Sequence, residues 1–255
     1  GAQVKIRTIP DITVSDYVIG AGLSAQYPTN NSVTLVIDQA KSFAVALSTV
    51  DSRQSDLDLA DVFANDGSIQ LRIAADADML TTIPAEVSAS NQGVHAGADS
   101  GNINLGDSTT PVTVSKTTVV DFIVDCGTVL DEQNVPDEGR WFVAPPWFMA
   151  LIKQSDLRIA SLAGDGVSIA RNGKVGEIDR FTMYQSRNLL TQSSPGPASY
   201  CMFGHSAGLT FASQIVECQM IDNPNDFGYI IRGLMVFGYE VIGPNYVGTA
   251  VVKRG

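Results

Sequence analysis

Positive charge is scarce in this sequence: 16 Lys and Arg stand against 27 Asp and Glu in 255 residues, a net charge of −11. Binding to duplex nucleic acid through counterion release needs clustered cations facing phosphate, and the few present are scattered, which argues against it. Aromatic residues make up only 7% and are not interleaved with Lys or Arg, so no platform for stacking single-stranded bases is indicated. Three cysteines, Cys126, Cys201 and Cys218, have no metal-ligand spacing and leave one over if any two were bridged. That pattern favours a reducing compartment and a fold that needs no disulfide. The longest apolar run, Trp141 to Ile152, is about half the roughly 20 residues of a membrane span and holds two prolines, so it reads as core. No charged segment followed by an apolar stretch opens the chain at Gly1, so it does not read as an unprocessed secretory precursor. Phosphate-loop, H-E-x-x-H, C-x-x-C and EF-hand spacings are all missing, and neither cofactor nor metal is expected.

Two stretches imitate catalytic motifs. Gly20-Ala21-Gly22-Leu23-Ser24-Ala25 follows an apolar run and matches a dinucleotide fingerprint letter by letter. The fingerprint works by bringing a helix N-terminus to a pyrophosphate, and Pro28 leaves no room for that helix, so these glycines read as a loop tip. Gly204-His205-Ser206-Ala207-Gly208 fits the nucleophile elbow of serine hydrolases. The base is missing: the only histidines are His95, in a flexible loop, and His205, whose adjacency turns it away from a serine at a turn tip. A serine esterase built on Ser206 is therefore the weaker alternative, and small residues at a close backbone approach are the better account. Asp76 and Asp78 lie two apart on a helix, about 200° from each other, and read as solvated rather than as co-ligands.

What the chain does contain is a sequence of contrasting periods. Gln3 to Ile9 alternates as a strand, Ile12 to Ile19 reads as a second extended run, and Val33 to Ile37 and Ser42 to Leu47 as two more. Residues 1–50 thus form a polar-tipped β arm with little core of its own. Ser55 to Leu80 changes to helical spacing, with Ala60, Phe63, Ala64, Gly67, Leu71, Ala74 and Ala75 on one face, a helix of roughly 25 residues or about 38 Å. Ser55 with Asp58 resembles a capping box, and Asp56, Asp58 and Asp61 suit the positive end of the helix dipole. Pro84 ends it. Val87 to Pro111, rich in Ser, Gly, Asn and Asp, reads as an extended loop with few buried contacts. Thr118 opens a second helix that turns Val119, Val120, Ile123, Val124 and Leu130 inward and stops before Pro136.

Arg140 to Gln154 concentrates rigid punctuation and both tryptophans. Arg140 to Ala144 reads as a buried strand, and Pro145-Pro146 stop it and start a helix over Trp147 to Ile152. Gly164 to Gly176 is glycine-punctuated, Phe181 to Tyr184 is a short strand, Thr191 to Ser199 a loop, and Ser206 to Val216 fits either helix or strand. Tyr229 to Val241 and Tyr246 to Val252 close the chain as strands. Without a repeating β-α-β unit, the order is α+β rather than doubly wound.

Several of these runs, in this order, resemble a family of tailed-bacteriophage major capsid proteins: Arg140 to Phe148 with its double proline, Arg171 to Gly176 continuing to Phe181 to Ser186, and Leu234 to Tyr239 with Gly243-Pro244. The resemblance covers nearly the whole chain. It implies the Hong Kong 97-type capsid fold, with an extended β-hairpin loop (1–50), a peripheral domain carrying a long spine helix and the following loop (51–117), a mainly axial domain (118–228) and returning strands shared by both (229–255). It implies a structural shell protein, not an enzyme, assembling with itself into pentamers and hexamers of an icosahedral head. Such a head encloses double-stranded DNA without sequence-specific contacts, is assembled in the host cytoplasm, touches no membrane, and has scaffolding, portal and decoration proteins as candidate partners. An encapsulin-type nanocompartment shares the fold and is the alternative. On this mapping Lys5, Arg7, Asp16, Tyr17 and Tyr27 on the arm are the expected subunit contacts. Family members usually carry an arm before the segment that starts as Gly1-Ala2-Gln3-Val4 does here, so a cleaved or preceding arm is expected.

Overall fold

The computed structural model describes residues 3–8, 12–20, 22, 25–29, 31–49, 58–155, 176–194, 196–224 and 226–255. The expected Gly164–Gly176 turn region, apart from Gly176, therefore lies outside the described residues, as do Ser55 and Asp56.

Alternation at the start of the chain produces β1 (Gln3–Thr8) and β2 (Asn31–Val36), an antiparallel two-stranded ribbon paired from Gln3↔Val36 to Thr8↔Asn31. Ile12 to Ile19 does not form the expected strand. Residues 12–18 have no strand partner among the described residues. Their local order includes a side-chain clip, in which Gln26 Oε1 accepts from Thr13 N (3.2 Å) and Gln26 Nε2 donates to Thr13 O (2.6 Å). Alternation alone does not make a strand where no neighbouring backbone is in reach to accept its hydrogen bonds.

The chain then turns into β3 (Gln39–Ser48), an edge of a second sheet ordered β10 (Leu209–Asp222), β11 (Gly228–Val241), β3. The long helix α1 (Leu59–Thr82) lies across β11 and β3. Asp58 is its N-cap and accepts from Asp61 N at 3.5 Å. Gly67, Leu71, Ala75 and Leu80 are its buried face. Close approach explains Gly67: with Gly233 of β11 it flanks the Phe43 ring, and a Cβ at either glycine would come within 2.3 Å of that ring. Lys41 of β3 reaches the helix and pairs with Asp78 at 3.2 Å, while Tyr239 Oη donates to Asp78 Oδ2 at 3.3 Å. The expectation of a solvated Asp78 is thus corrected, because its cation arrives from a strand 37 residues earlier.

The larger half is a seven-stranded sheet ordered β4 (Val112–Val114), β12 (Val247–Arg254), β9 (Ala198–His205), β5 (Arg140–Ala144), β7 (Phe181–Gln185), β6 (Glu177–Ile178), with β8 (Thr191–Gln192) also on β9. Helices α2 (Val119–Glu132) and α3 (Pro146–Gln154) pack against it. Val119, Ile123 and Leu130 are buried as their spacing requires, but Val124 is 45% exposed. The inward stripe runs instead through Phe122, Cys126 and Val129. Asn134 (φ 55) takes the left-handed conformation that ends α2, and Val135 N bonds back to Leu130 O at 3.1 Å. Pro145 is the N-cap of α3 and Pro146 its first residue, and the Pro145 carbonyl accepts from Phe148 N and Met149 N. The aromatic core is built on Phe142, Phe148, Phe181 and Phe203, all fully buried.

β5 serves two cores by alternation. Phe142 and Ala144 enter the α2–α3 core, while Trp141 and Val143 on its other face pack against a cluster of Leu80, Ile83, Val87, Met202, Val241 and Val247. That cluster joins the end of α1 and β11 to the larger sheet. Residues 87–111 are mostly irregular, as expected, but not loosely attached. Val87, Asn91, Ala96 and Leu105 are buried, and Asn91 Nδ2 donates to the carbonyls of Asn245 (2.8 Å) and Val247 (3.0 Å). Glu132 accepts from the amides of Asp99 and Ser100 at 2.9 and 3.1 Å. Polar composition signalled a loop here, but those polar groups are spent on anchoring it.

Asp107 organises the end of this segment. Its Oδ1 accepts from the hydroxyls and amides of Thr109 and Thr110, at 2.6–2.9 Å. These bonds, the Thr109 hydroxyl foremost, hold its pKa down to about 2. The folded pKa is depressed, so the stabilisation of this turn is present above the ordinary carboxylate range and is lost as pH falls through about 2. Asp107→Ala is expected to speed amide exchange at Thr109 and Thr110 at neutral pH without moving the global unfolding midpoint. Unchanged exchange at both amides would show that the carboxylate does not hold the turn.

Candidate functional site

The two motif look-alikes resolve into structural turns. Gly204-His205-Ser206-Ala207-Gly208 is the connection between β9 and β10. His205 Nδ1 accepts from Ala207 N at 3.1 Å, a group that can only donate, so the ring proton sits on Nε2, which donates to the Glu138 carbonyl at 2.8 Å. Both ring nitrogens are committed, and neither is available to take a proton from Ser206. The glycines are there for space: a Cβ on Gly204 would lie 2.6 Å from the Tyr246 carbonyl oxygen, and one on Gly208 2.7 Å from Val247 Cγ2. Gly20 (φ 85) and Gly22 (φ 73) take left-handed conformations in the arm, where a turn precedes no helix among the described residues.

Other chemistry is weakly provided for. Among the described residues no three His, Cys, Asp or Glu side chains gather into a metal-binding group. Cys126 and Cys201 are fully buried, and burial pushes both thiols well up, away from nucleophilic use. The crevice between α1 and the three-stranded sheet, lined by Phe43, Leu71, Cys218 and Met235, holds about 270 Å³. That is below the roughly 300–1,000 Å³ of small-molecule pockets, whereas two more open hollows are larger, about 450 Å³ beside Phe43 and Arg232 and about 530 Å³ beside Trp147 and Arg254. No helix among the described residues is long and apolar enough to cross a membrane.

What the structure does present is unpartnered surface. Lys5 and Arg7 are exposed on β1, and Asp16, Tyr17 and Tyr27 are exposed along the connection between β1 and β2. Tyr27 is 90% exposed, and Val14 and Ile19 beside it in the arm are 92% and 88% exposed. Exposed apolar side chains of this size are uncommon on a free surface. All five arm residues singled out in the sequence are thus exposed within residues 5–27. Sequence reasoning missed the edge of β10, which has no strand partner among the described residues, since a stretch that fits either helix or strand gives no sign of where it sits in a sheet.

No protein-family profile matches this chain, and no curated protein does. Solved structures do. The chain is similar to a structure from Mycobacterium phage Che8, with a TM-score of 0.73 at 23% identity over 98% of this chain and 84% of that one. It is similar to the capsid of cyanophage P-SCSP1u, with a TM-score of 0.66 at 14% identity over 100% and 84% of the two chains. The mature capsid of bacteriophage PhiM1 gives 0.65 at 15% identity over 100% and 82%. The fold is therefore that of viral shell proteins, mixed α+β with large sheets and few helices. More particularly it is the fold of tailed-phage capsid structures, the Hong Kong 97 type to which the ordered runs around Arg140 and Leu234 pointed.

Proposed function

We propose that this protein is the major capsid protein of a tailed bacteriophage, assembling with itself into the pentamers and hexamers of an icosahedral head that encloses double-stranded DNA. One observation supports the reading: phage capsid structures match 98–100% of the chain, arm included. The protein acts as a structural component of the virion, assembled in the host cytoplasm, without catalysis. Residues 1–50 serve as the extended loop, 51–117 as the peripheral domain with α1 as its spine, 118–228 as the mainly axial domain, and 229–255 as strands shared by both. A net charge of −11 suits a container wall that should not adhere to packaged DNA. Scaffolding, portal and decoration proteins are the partners such a shell would take.

The arm stabilises only by adding area to a neighbour, and a specific interface needs on the order of 1,000 Å² or more in total. Replacing Tyr17 and Tyr27 together by serine is expected to lower the yield of particles at least tenfold, seen by negative-stain microscopy and sedimentation, while leaving the thermal midpoint of the soluble subunit within about 2 °C. Wild-type particle yield from that variant would remove the arm's role. A wild-type protein that stays monomeric under all assembly conditions would count against the shell itself.

A further inference from the structure

We propose that β10 is a twofold contact between copies of this chain, in which two β10 edges pair antiparallel about Cys218 and join two three-stranded sheets into one of six. The inference rests on the self-assembly reading and goes beyond it by naming the strand, the symmetry and the register.

Three observations lead there. The sheet order β10-β11-β3 leaves the outer edge of a 14-residue strand without a strand partner among the described residues. Proteins ordinarily protect such an edge with proline, lysine or a covering element. Residues 209–222 contain neither proline nor lysine, and α1 covers β11 and β3 rather than β10. Beyond the irregularity between Ser213 and Ile215, the segment from Ile215 to Ile221 pairs with β11 in unbroken register. Within it Glu217, Cys218, Gln219 and Met220 are all exposed, Met220 by 58%.

The sequence of that segment, Ile215-Val216-Glu217-Cys218-Gln219-Met220-Ile221, is symmetric in polarity about its centre. A twofold interface is isologous, so the surface must be complementary to itself. Antiparallel pairing about Cys218 sets position 215 against 221, 216 against 220, and Glu217 against Gln219, so each carboxylate meets an amide and each apolar position another apolar one. Moving the centre to Glu217 would oppose two carboxylates, and moving it to Gln219 would set Glu217 against Ile221. Only the Cys218 register matches across the whole segment, and it commits the occupant of this edge to a second copy of the same strand.

The register has a chemical signature. Residues directly opposite in an antiparallel pair have Cα atoms about 4.5–5.5 Å apart, inside the roughly 4.4–6.8 Å that a disulfide spans. Diamide, which accepts the two electrons and two protons released by two thiols, should therefore convert assembled protein to a disulfide dimer through Cys218. The other two cysteines are buried and serve as internal controls. Cys218→Ser should abolish the dimer. In that background Met220→Cys alone should fail to cross-link, because its counterpart lies about 14 Å away along the partner strand, and Val216→Cys with Met220→Cys should restore it. Particles that give no Cys218 dimer, or a Met220→Cys variant that cross-links as well as the pair, would overturn the proposed register. A soluble dimer that cross-links through Cys218 but builds no particles would uphold the strand pairing and overturn the shell reading.

Discussion

Replacing Arg140 by alanine is expected to remove about 3–5 kcal/mol of folding stability, because each carbonyl left without its donor costs about 1–3 kcal/mol and the emptied space adds to that. The whole fold of a typical protein is worth only about 5–15 kcal/mol, so much of the chain should be recovered unfolded or aggregated. The arginine side chain is fully buried at the start of β5. Its Nε donates to the Pro136 carbonyl at 2.9 Å and Nη2 to the Val135 carbonyl at 2.6 Å, while Nη2 also pairs with Asp131 at 2.7 Å and Asp137 at 3.2 Å. Asp131 and Asp137 are themselves 41% and 67% exposed and can rehydrate. Most of the loss therefore comes from the stranded carbonyls of Val135, Pro136 and Gly127 and from the emptied space. Lysine should recover little of it, since one ammonium cannot reproduce the planar fork that serves carbonyls and carboxylates together.

The same site predicts an acid dependence. Burial raises the pKa of Asp131, but hydrogen bonds from Arg180 and Arg140 outweigh it and the net shift is downward. With a depressed folded pKa, its contribution is present above the ordinary carboxylate range and is lost as pH falls through the lowered value. Urea unfolding of the wild type should show that loss in acid, and Arg140→Ala should show less of it, because Arg180 alone remains. An equally steep acid loss in the variant would mean that Arg140 does not tune Asp131.

Phe142→Ala is the second large effect, about 3–5 kcal/mol for a fully buried phenylalanine whose site cannot collapse. Phe142 stacks on Phe148 and Phe203 at 5.7 and 6.1 Å between ring centroids and meets Phe181 edge-on at 5.8 Å. Three elements, β5, α3 and β9, together with β7, thus lose a shared partner at once. Unlike Arg140→Ala, this variant should keep the wild-type acid dependence, because no titrating group is touched. Equilibrium unfolding at pH 7 and in acid below the ordinary carboxylate range, at roughly pH 2–3, separates the two. A loss below about 1 kcal/mol would show that the ring cluster repacks and is not the keystone of the larger sheet.

Both residues belong to the stretch whose local structure the sequence states most clearly. Pro145 and Pro146 fix backbone angles by their own rings, so the change from β5 to α3 is legible without any partner. The 3.6-residue spacing of Gly67, Leu71 and Ala75 likewise announces α1, and the alternation in β1, β3 and β11 announces strands. Where polarity alternates but no partner backbone is near, as in residues 12–18, the same signal misleads. Val124 shows the complementary error, an apolar residue one step off the buried stripe of α2. The exposure of Lys5, Arg7, Asp16, Tyr17 and Tyr27 follows from the polar, turn-rich composition of the arm. The edge of β10 could not be read that way, because being an edge is a property of what does not pair with a strand.

The sequence by itself thus determined the α+β class, the double-proline turn and the long helix, all of which follow from steric and periodic effects within a few residues. Only the tertiary structure decided that Arg140 is buried as a cation, that Asp78 is paired with Lys41, that residues 87–111 are anchored through Asn91, and that β10 lies on a free edge. These depend on groups brought together from 3 to 156 residues apart along the chain, and no local pattern encodes which backbone or charge will arrive.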